Sequence, residues 1–291
     1  MELQIKNLSK IYDNGHQALK DVNLTIQEGM FGLLGPNGAG KSTLMRILVT
    51  LQEPSQGEVT IDGYSLSQHR REIRQMIGYL PQDFRFFPKL KEWEFLDYAA
   101  SLAGIKSKKE RAKEVDRLLE QVGLLEARDR FANKLSGGMK RRLGIAQALI
   151  GNPRLIIVDE PTTGLDPQER IRFRNILSNL SQQGVIIILS THIVADISST
   201  CGAMALLDNG VVKYQGSPDD FVSQSKGQVW RVSVGFDELK TLKDQYPVIT
   251  TIPSVDGYEV ELIAPHKPLE GAWNIEPGLE HAYVCFMENN A

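Results

Sequence analysis

Gly35-Pro36-Asn37-Gly38-Ala39-Gly40-Lys41-Ser42 is the stretch that decides the reading of this chain. It fits G-x-x-x-x-G-K-[ST], a Gly-rich loop whose backbone N–H groups cradle phosphates. Met30-Phe31-Gly32-Leu33-Leu34 leads into it as a short apolar strand. A helix is expected from Lys41, with Leu44, Ile47 and Leu48 on its inner face. Side chains along the loop would obstruct the turn, so Gly35, Gly38 and Gly40 let the backbone approach a polyphosphate. The bare N–H groups and the helix N-terminus then face the anion. In such a loop Lys41 reaches the β- and γ-phosphates, the Ser42 hydroxyl ligates Mg²⁺, and Thr43 assists at nearby phosphate oxygens.

Further along, Ile156-Ile157-Val158-Asp159-Glu160 is an apolar strand ending in two carboxylates. Asp159 can face the Mg²⁺ shell, and Glu160 can orient a water and disperse its proton. Ser190-Thr191-His192 ends the next apolar run, 33 positions after Asp159. The His192 imidazole is either a structural side chain or a hydrogen-bond partner for a γ-phosphate. Leu135-Ser136-Gly137-Gly138-Met139 opens a helix carrying Lys140, Arg141 and Arg142. Ser136 is a favoured N-cap, and Gly137 and Gly138 leave bare N–H groups at a positive helix end. That motif has no task inside its own pocket, which points to a second copy of the chain.

In this order, the motifs resemble those of the ATPase subunit of ATP-binding cassette (ABC) transporters, over roughly residues 1–220. The resemblance implies ATP and Mg²⁺ as ligands, and it implies roles for individual residues. Glu160 would polarise the attacking water, and His192 would be the switch histidine. Gln82, in Tyr79-Leu80-Pro81-Gln82-Asp83-Phe84, would touch Mg²⁺ or water. Ser136, Gly137 and Gly138 would meet the γ-phosphate bound to the opposite subunit. Asp166, in Gly164-Leu165-Asp166-Pro167, would lie on the loop that crosses to that subunit. Tyr12, 29 positions before Lys41, would stack on adenine. Met139 stands where Gln is commoner.

The implied fold is a P-loop NTPase α/β core with an N-terminal antiparallel β-subdomain and an inserted helical subdomain at about 90–150. Leu3 and Ile5, then Val22, Leu24 and Ile26, alternate with polar residues as half-buried strands do. Leu155–Val158, Val185–Leu189 and Ala203–Leu207 are continuous apolar strands suited to a parallel sheet covered on both faces. The segment from Leu90 to Ala132 reads as helical. Phe84, Phe86, Phe87, Trp93 and Phe95 form either its core or a groove for a short helix of a membrane partner. The ATPase domain is expected over 1–222. A small α+β module is expected over 227–291, with a helix at Phe236–Asp244, strands at Val248–Ile252 and Tyr258–Leu262, and a closing helix at Gly278–Met287.

Bulk properties narrow the functional class. The chain has 291 residues, 42% hydrophobic and 24% charged, with a net charge of -3. That charge provides no general attraction to nucleic acid, and no nucleic-acid partner is expected. Cys201 and Cys285 read as small apolar side chains. Met1-Glu2-Leu3-Gln4-Ile5 begins a strand rather than a signal peptide, and no apolar run approaches the ~20 residues that span a bilayer. The resemblance therefore implies a cytoplasmic subunit, peripheral on the inner membrane face, working as a homodimer or with a paralogue beneath an integral membrane permease. The signature and the tail Glu276–Tyr283 resemble ABC-2 type exporters. A soluble ABC ATPase acting on ribosomes or DNA, or an antibiotic sensing or resistance subunit, are the alternatives.

Overall fold

Alternation at the N-terminus becomes a hairpin. In the computed structural model, which describes residues 1–289, β1 (Glu2–Ile11) pairs antiparallel with β2 (Gln17–Gln27), placing Leu3 opposite Ile26 and Ile5 opposite Leu24. β3 (Gly29–Leu34) runs into the phosphate loop, and α1 (Lys41–Leu48) follows it. β4 (Gln56–Ile61) and β5 (Tyr64–Ser65), absent from the sequence reading, complete a four-stranded sheet in the order β2-β1-β4-β5.

The chain then enters α2 (Arg70–Met76) and β6 (Ile77–Leu80). The helical insertion is three helices, α3 (Glu92–Leu102), α4 (Lys108–Gln121) and α5 (Gly137–Ala148), with 3-10 turns at Leu125–Ala127 and Ala132–Lys134. The expected helical run is broken at Gly104 (φ 96°) and Gly123 (φ 66°), positions where only glycine turns at low cost. Lys108, Lys109 and Arg111 lie at the start of α4, which Ser107 caps. After it come β7 (Leu155–Asp159), α6 (Pro167–Ser181), β8 (Ile186–Thr191), α7 (Val194–Ser198), β9 (Ala203–Asp208) and β10 (Val211–Gly216).

These strands build a six-stranded sheet in the order β10-β9-β3-β8-β7-β6, in which β9, β3, β8, β7 and β6 are parallel. Leu34 pairs with Thr191, and Asp159 with Ser190, so β3, β7 and β8 end at the same edge. Open parallel sheets bind ligands at this carboxyl edge. Leu44, Ile47 and Leu48 of α1 share one core with Leu3, Leu24, Ile157 and Ile188, which locks the loop between the two sheets.

The chain divides into two units, Met1–Gln215 and the segment from Gly216 onward. This moves the expected boundary at 222–227 upstream. The reason is α8 (Pro218–Ser223), whose Phe221 packs against Phe286, ring centroids 5.4 Å apart. Phe286 lies on α10 (Leu279–Asn289), so α8 is part of the second unit. β11 (Val229–Val234), α9 (Glu238–Gln245), β12 (Val248–Ser254), β13 (Gly257–Ile263) and β14 (Trp273–Asn274) make up the remainder. Its sheet runs β12-β13-β11-β14 over a core of Val232, Val234, Leu242, Val260 and Leu262. Cys201 and Cys285 are free and buried. Among the described residues no helix is long and apolar enough to cross a membrane.

Candidate active site

The loop glycines have two distinct physical reasons. A Cβ on Gly35 would lie 2.1 Å from the Leu207 carbonyl oxygen, and one on Gly40 would lie 2.5 Å from that of Ala18. The obstruction expected from the sequence is therefore the protein's own neighbouring backbone. Gly38 has open space around it but takes φ +83°, which favours glycine on conformational grounds. Gly40 carries φ 105°, and α1 begins with neither a side-chain cap nor an acidic residue in its first turn. Its N-terminal N–H groups are left for an outside acceptor. Lys41 is 5% exposed. Its Nζ donates to the carbonyls of Gly35 at 2.7 Å and Pro36 at 3.1 Å, and stands 3.5 Å from Glu160 Oε1.

β7 delivers the two carboxylates. Asp159 is buried and accepts a hydrogen bond from Ser190 Oγ across the β7–β8 ladder. Its charge and, more strongly, burial push the Tyr79 hydroxyl up to about 12, so that side chain keeps its proton. Glu160 leaves the strand with φ 49°, the left-handed region that a non-glycine residue rarely adopts. Its Oε2 lies 2.6 Å from His192 Nδ1 and accepts from Thr163 Oγ1 at 3.1 Å. His192 is 39% exposed, and its carboxylate partner is buried.

Gln82, Ser42 and Asp159 line one cavity of about 1250 Å³. The same cavity continues past Arg46 to Arg70, Arg71, Arg74 and Arg85. Arg141 of α5 donates to the Pro81 carbonyl at 3.2 Å and so ties this helix to the Gln82 segment. The Tyr12 hydroxyl shares a 3.1 Å hydrogen bond with the Thr43 hydroxyl, the largest influence holding its pKa below the usual phenol value, and it also bonds Gln52 Oε1. Its ring lies parallel to that of His16, centroids 6.3 Å apart. Of the aromatic set, Phe95 is buried, while Phe87 and Tyr98 stay about half exposed around an apolar hollow of about 400 Å³. Part of the set is therefore core, and part is left at the surface.

The remaining predicted residues make local bonds instead. Ser136 caps α5, accepting from the Met139 N–H at 3.2 Å, and Ser136 and Gly137 are exposed. Gly138 is fixed by packing, since a Cβ there would fall 2.3 Å from Glu169 Oε2. Asp166 caps α6, accepting from the Glu169 N–H at 2.9 Å. The structure thus gathers Gly35–Thr43, Asp159, Glu160 and His192 at one sheet edge, with Gln82 across the cavity. Ser136–Gly138 and Asp166 are held by their own helix ends. Sequence reading missed Thr163, the Ser190–Asp159 bond and the Arg142–Glu169 pair, in which Arg142 also donates to the Val122 and Gly123 carbonyls. The strand register would have exposed Ser190. Nothing in the local sequence marks Arg142 as buried.

The family model described as ABC transporter matches residues 19–163. An uncharacterized ABC transporter ATP-binding protein of Synechocystis is 38% identical over 76% of this chain, which spans 64% of that protein. The Nod factor export ATP-binding protein I of Cupriavidus metallidurans is 37% identical, covering 83% of this chain and 79% of the relative. A methionine import ATP-binding protein, MetN 1, of Staphylococcus epidermidis is 36% identical over 76% of this chain and 67% of its own length. Among solved structures, the dimeric post-hydrolysis state of the ATP-binding cassette MJ0796 bound to ADP and Pi superposes with TM-score 0.68 and 31% identity, over 74% of this chain and 98% of the other. With the phosphate loop, the paired strand-end carboxylates and His192 at one sheet edge, these similarities place the chain in the ABC transporter family, as an ATP-binding, ATP-hydrolysing cassette.

Proposed function

We propose that two copies of this cassette, or this chain and a paralogue, sandwich ATP and power a separate membrane permease, most consistently an exporter. The observation that carries the reading is the division of the motifs. Lys41 and His192 converge on Glu160, whereas Ser136 and Gly137 are exposed elsewhere, at the N-terminus of α5. A signature facing outward acts on a nucleotide held by another copy.

ATP seats on the loop N–H groups and the α1 N-terminus, with Tyr12 against adenine. Lys41 exchanges the Gly35 and Pro36 carbonyls for the β- and γ-phosphates. Ser42, Gln82 and Asp159 would hold Mg²⁺, which when bound neutralises developing phosphate charge. The donor set fits such an ion: it is all oxygen, and it surrounds the same cavity. Among the described residues there is no group of three or more His, Cys, Asp or Glu that could hold a metal ion, and a Mg²⁺ here would take its remaining ligands from phosphate oxygens and water. Glu160 orients the attacking water, and His192 bonds the γ-phosphate. Ser136, Gly137 and Gly138 of the opposing copy cover that phosphate, and Asp166 lies along the crossing loop. Binding closes the pair and hydrolysis opens it, a transition the permease converts into alternating access.

Relatives of similar identity include export and import subunits, so direction rests on the signature and on the tail. The tail has a structural task as well: His281 accepts from the Gly278 N–H and pairs with Glu261. The test is affinity isolation of tagged Glu160→Gln protein from detergent-solubilised native membranes with Mg·ATP, read by mass spectrometry. A stoichiometric multi-span protein is expected, and its class identifies the direction. Recovery of ribosomal or DNA-bound proteins without it would favour the soluble ATPase.

A further inference from the structure

We propose that Thr163 is a positioning residue for ATP hydrolysis, its hydroxyl holding the Glu160 carboxylate in the orientation from which it acts on water. The inference rests on the reading of Glu160 given above. Glu160 departs from β7 with a left-handed backbone, so no regular strand geometry aims its side chain. Three groups aim it instead. Lys41 Nζ lies 3.5 Å from Oε1, while His192 Nδ1 at 2.6 Å and Thr163 Oγ1 at 3.1 Å both meet Oε2. Lys41 and His192 each have a phosphate to serve once ATP is seated. His192 can serve its phosphate through Nε2 while Nδ1 stays on the carboxylate, whereas Thr163 has no phosphate to serve and its hydroxyl is given to Glu160 alone. A neutral donor fixes a carboxylate without neutralising it and leaves its remaining lone pairs for water.

The turn around Thr163 is pinned, although the residue is itself exposed. Thr162 before it is buried and donates to the buried Asp196 carboxylate of α7. Leu165 N–H closes the turn on the Thr162 carbonyl at 3.1 Å, and Asp166 then caps α6. The hydroxyl therefore sits on a fixed turn next to the loop expected to face the second subunit. Contact there can reach Glu160 through a single side chain.

The experiment is steady-state ATP hydrolysis by the full chain as wild type, Thr163→Val, Thr163→Ala, Thr163→Ser and Glu160→Gln. Loss of one hydrogen bond to the carboxylate predicts kcat lower by about 3- to 10-fold in Thr163→Val and Thr163→Ala, with KM for ATP unchanged. Thr163→Ser keeps the donor and should stay within about 2-fold of wild type. In the Glu160→Gln background, Thr163→Val should have no further effect. Wild-type kcat in the Val and Ala variants, equal impairment in all three, or a change confined to KM would each overturn the proposal. The two readings fail separately. Wild-type turnover by Glu160→Gln removes the role of Glu160. An inert Glu160→Gln beside a fully active Thr163→Val removes only the role of Thr163.

Discussion

Single residues in this site are constrained by their neighbours as much as by chemistry. Gly38 and Gly40 both sit in the Gly-rich loop, yet they answer to different forces. Gly40→Ala must carry both a left-handed alanine and a Cβ 2.5 Å from the Ala18 carbonyl oxygen, so it should lose about 2–4 kcal/mol of stability. Gly38→Ala meets no atom within 4 Å and should lose only about 1–2 kcal/mol, the strain of the dihedral alone. Urea unfolding of the two variants separates these contributions, and equal losses would show that packing against β2 is irrelevant. At this scale the sequence was most legible. Gly35–Thr43, Asp159, Glu160 and His192, singled out by motif, spacing and the family resemblance, come together in the fold, because phosphate chemistry dictates residue types. Thr163 was not singled out, because a hydroxyl in a loop is chemically ordinary until the fold places it 3.1 Å from Glu160.

Elements are positioned by buried polar side chains that hydrophobic periodicity does not register. Arg142 is 8% exposed and ties α5 both to the end of α4, through the Val122 and Gly123 carbonyls, and to α6, through Glu169. That brace sets the direction in which the α5 N-terminus, and with it Ser136, is presented. Glu92 in the first turn of α3 is fully buried, and neither carboxyl oxygen has a hydrogen-bond partner. Burial pushes its carboxyl from 4.5 up to about 7, against the opposing pull of Arg130 and Arg142. A raised acid favours the fold only while protonated. Below pH 4.5 the folded and unfolded chains are both neutral at this site. As pH rises to about 7 the unfolded chain ionises first and stability is lost; above that the loss is constant. Glu92→Gln should therefore match wild type in stability at low pH and exceed it by about 1–2 kcal/mol above pH 7, after allowance for screening. Denaturation midpoints across that range check it; a difference independent of pH would place the titration elsewhere. Periodicity gave the strands that carry continuous apolar runs and left β4, β5, β6, β10 and β14 unread. β10, for example, keeps its alternating residues only partly buried, so its sequence resembles an ordinary loop.

At the scale of the whole molecule, the two units have separate cores, and the candidate nucleotide-site residues all belong to the first. The unit boundary was misplaced from the sequence because Ser217-Pro218 signals a helix start without saying which core that helix joins. In the proposed sandwich, the signature of one copy completes the site of another. Lys41→Ala should lose nucleotide binding, and Ser136→Arg should bind nucleotide but fail to close, so each alone is inactive. A mixed dimer restores one intact site, formed by Lys41 of one copy and Ser136 of the other. The measurement is ATP hydrolysis by an equimolar mixture of the two variants. Recovery approaching about a quarter of the wild-type rate is predicted, since random pairing makes half of the dimers mixed and each has one of two sites. A mixture as inactive as either variant alone, beside an active wild-type homodimer, would contradict a signature acting in trans.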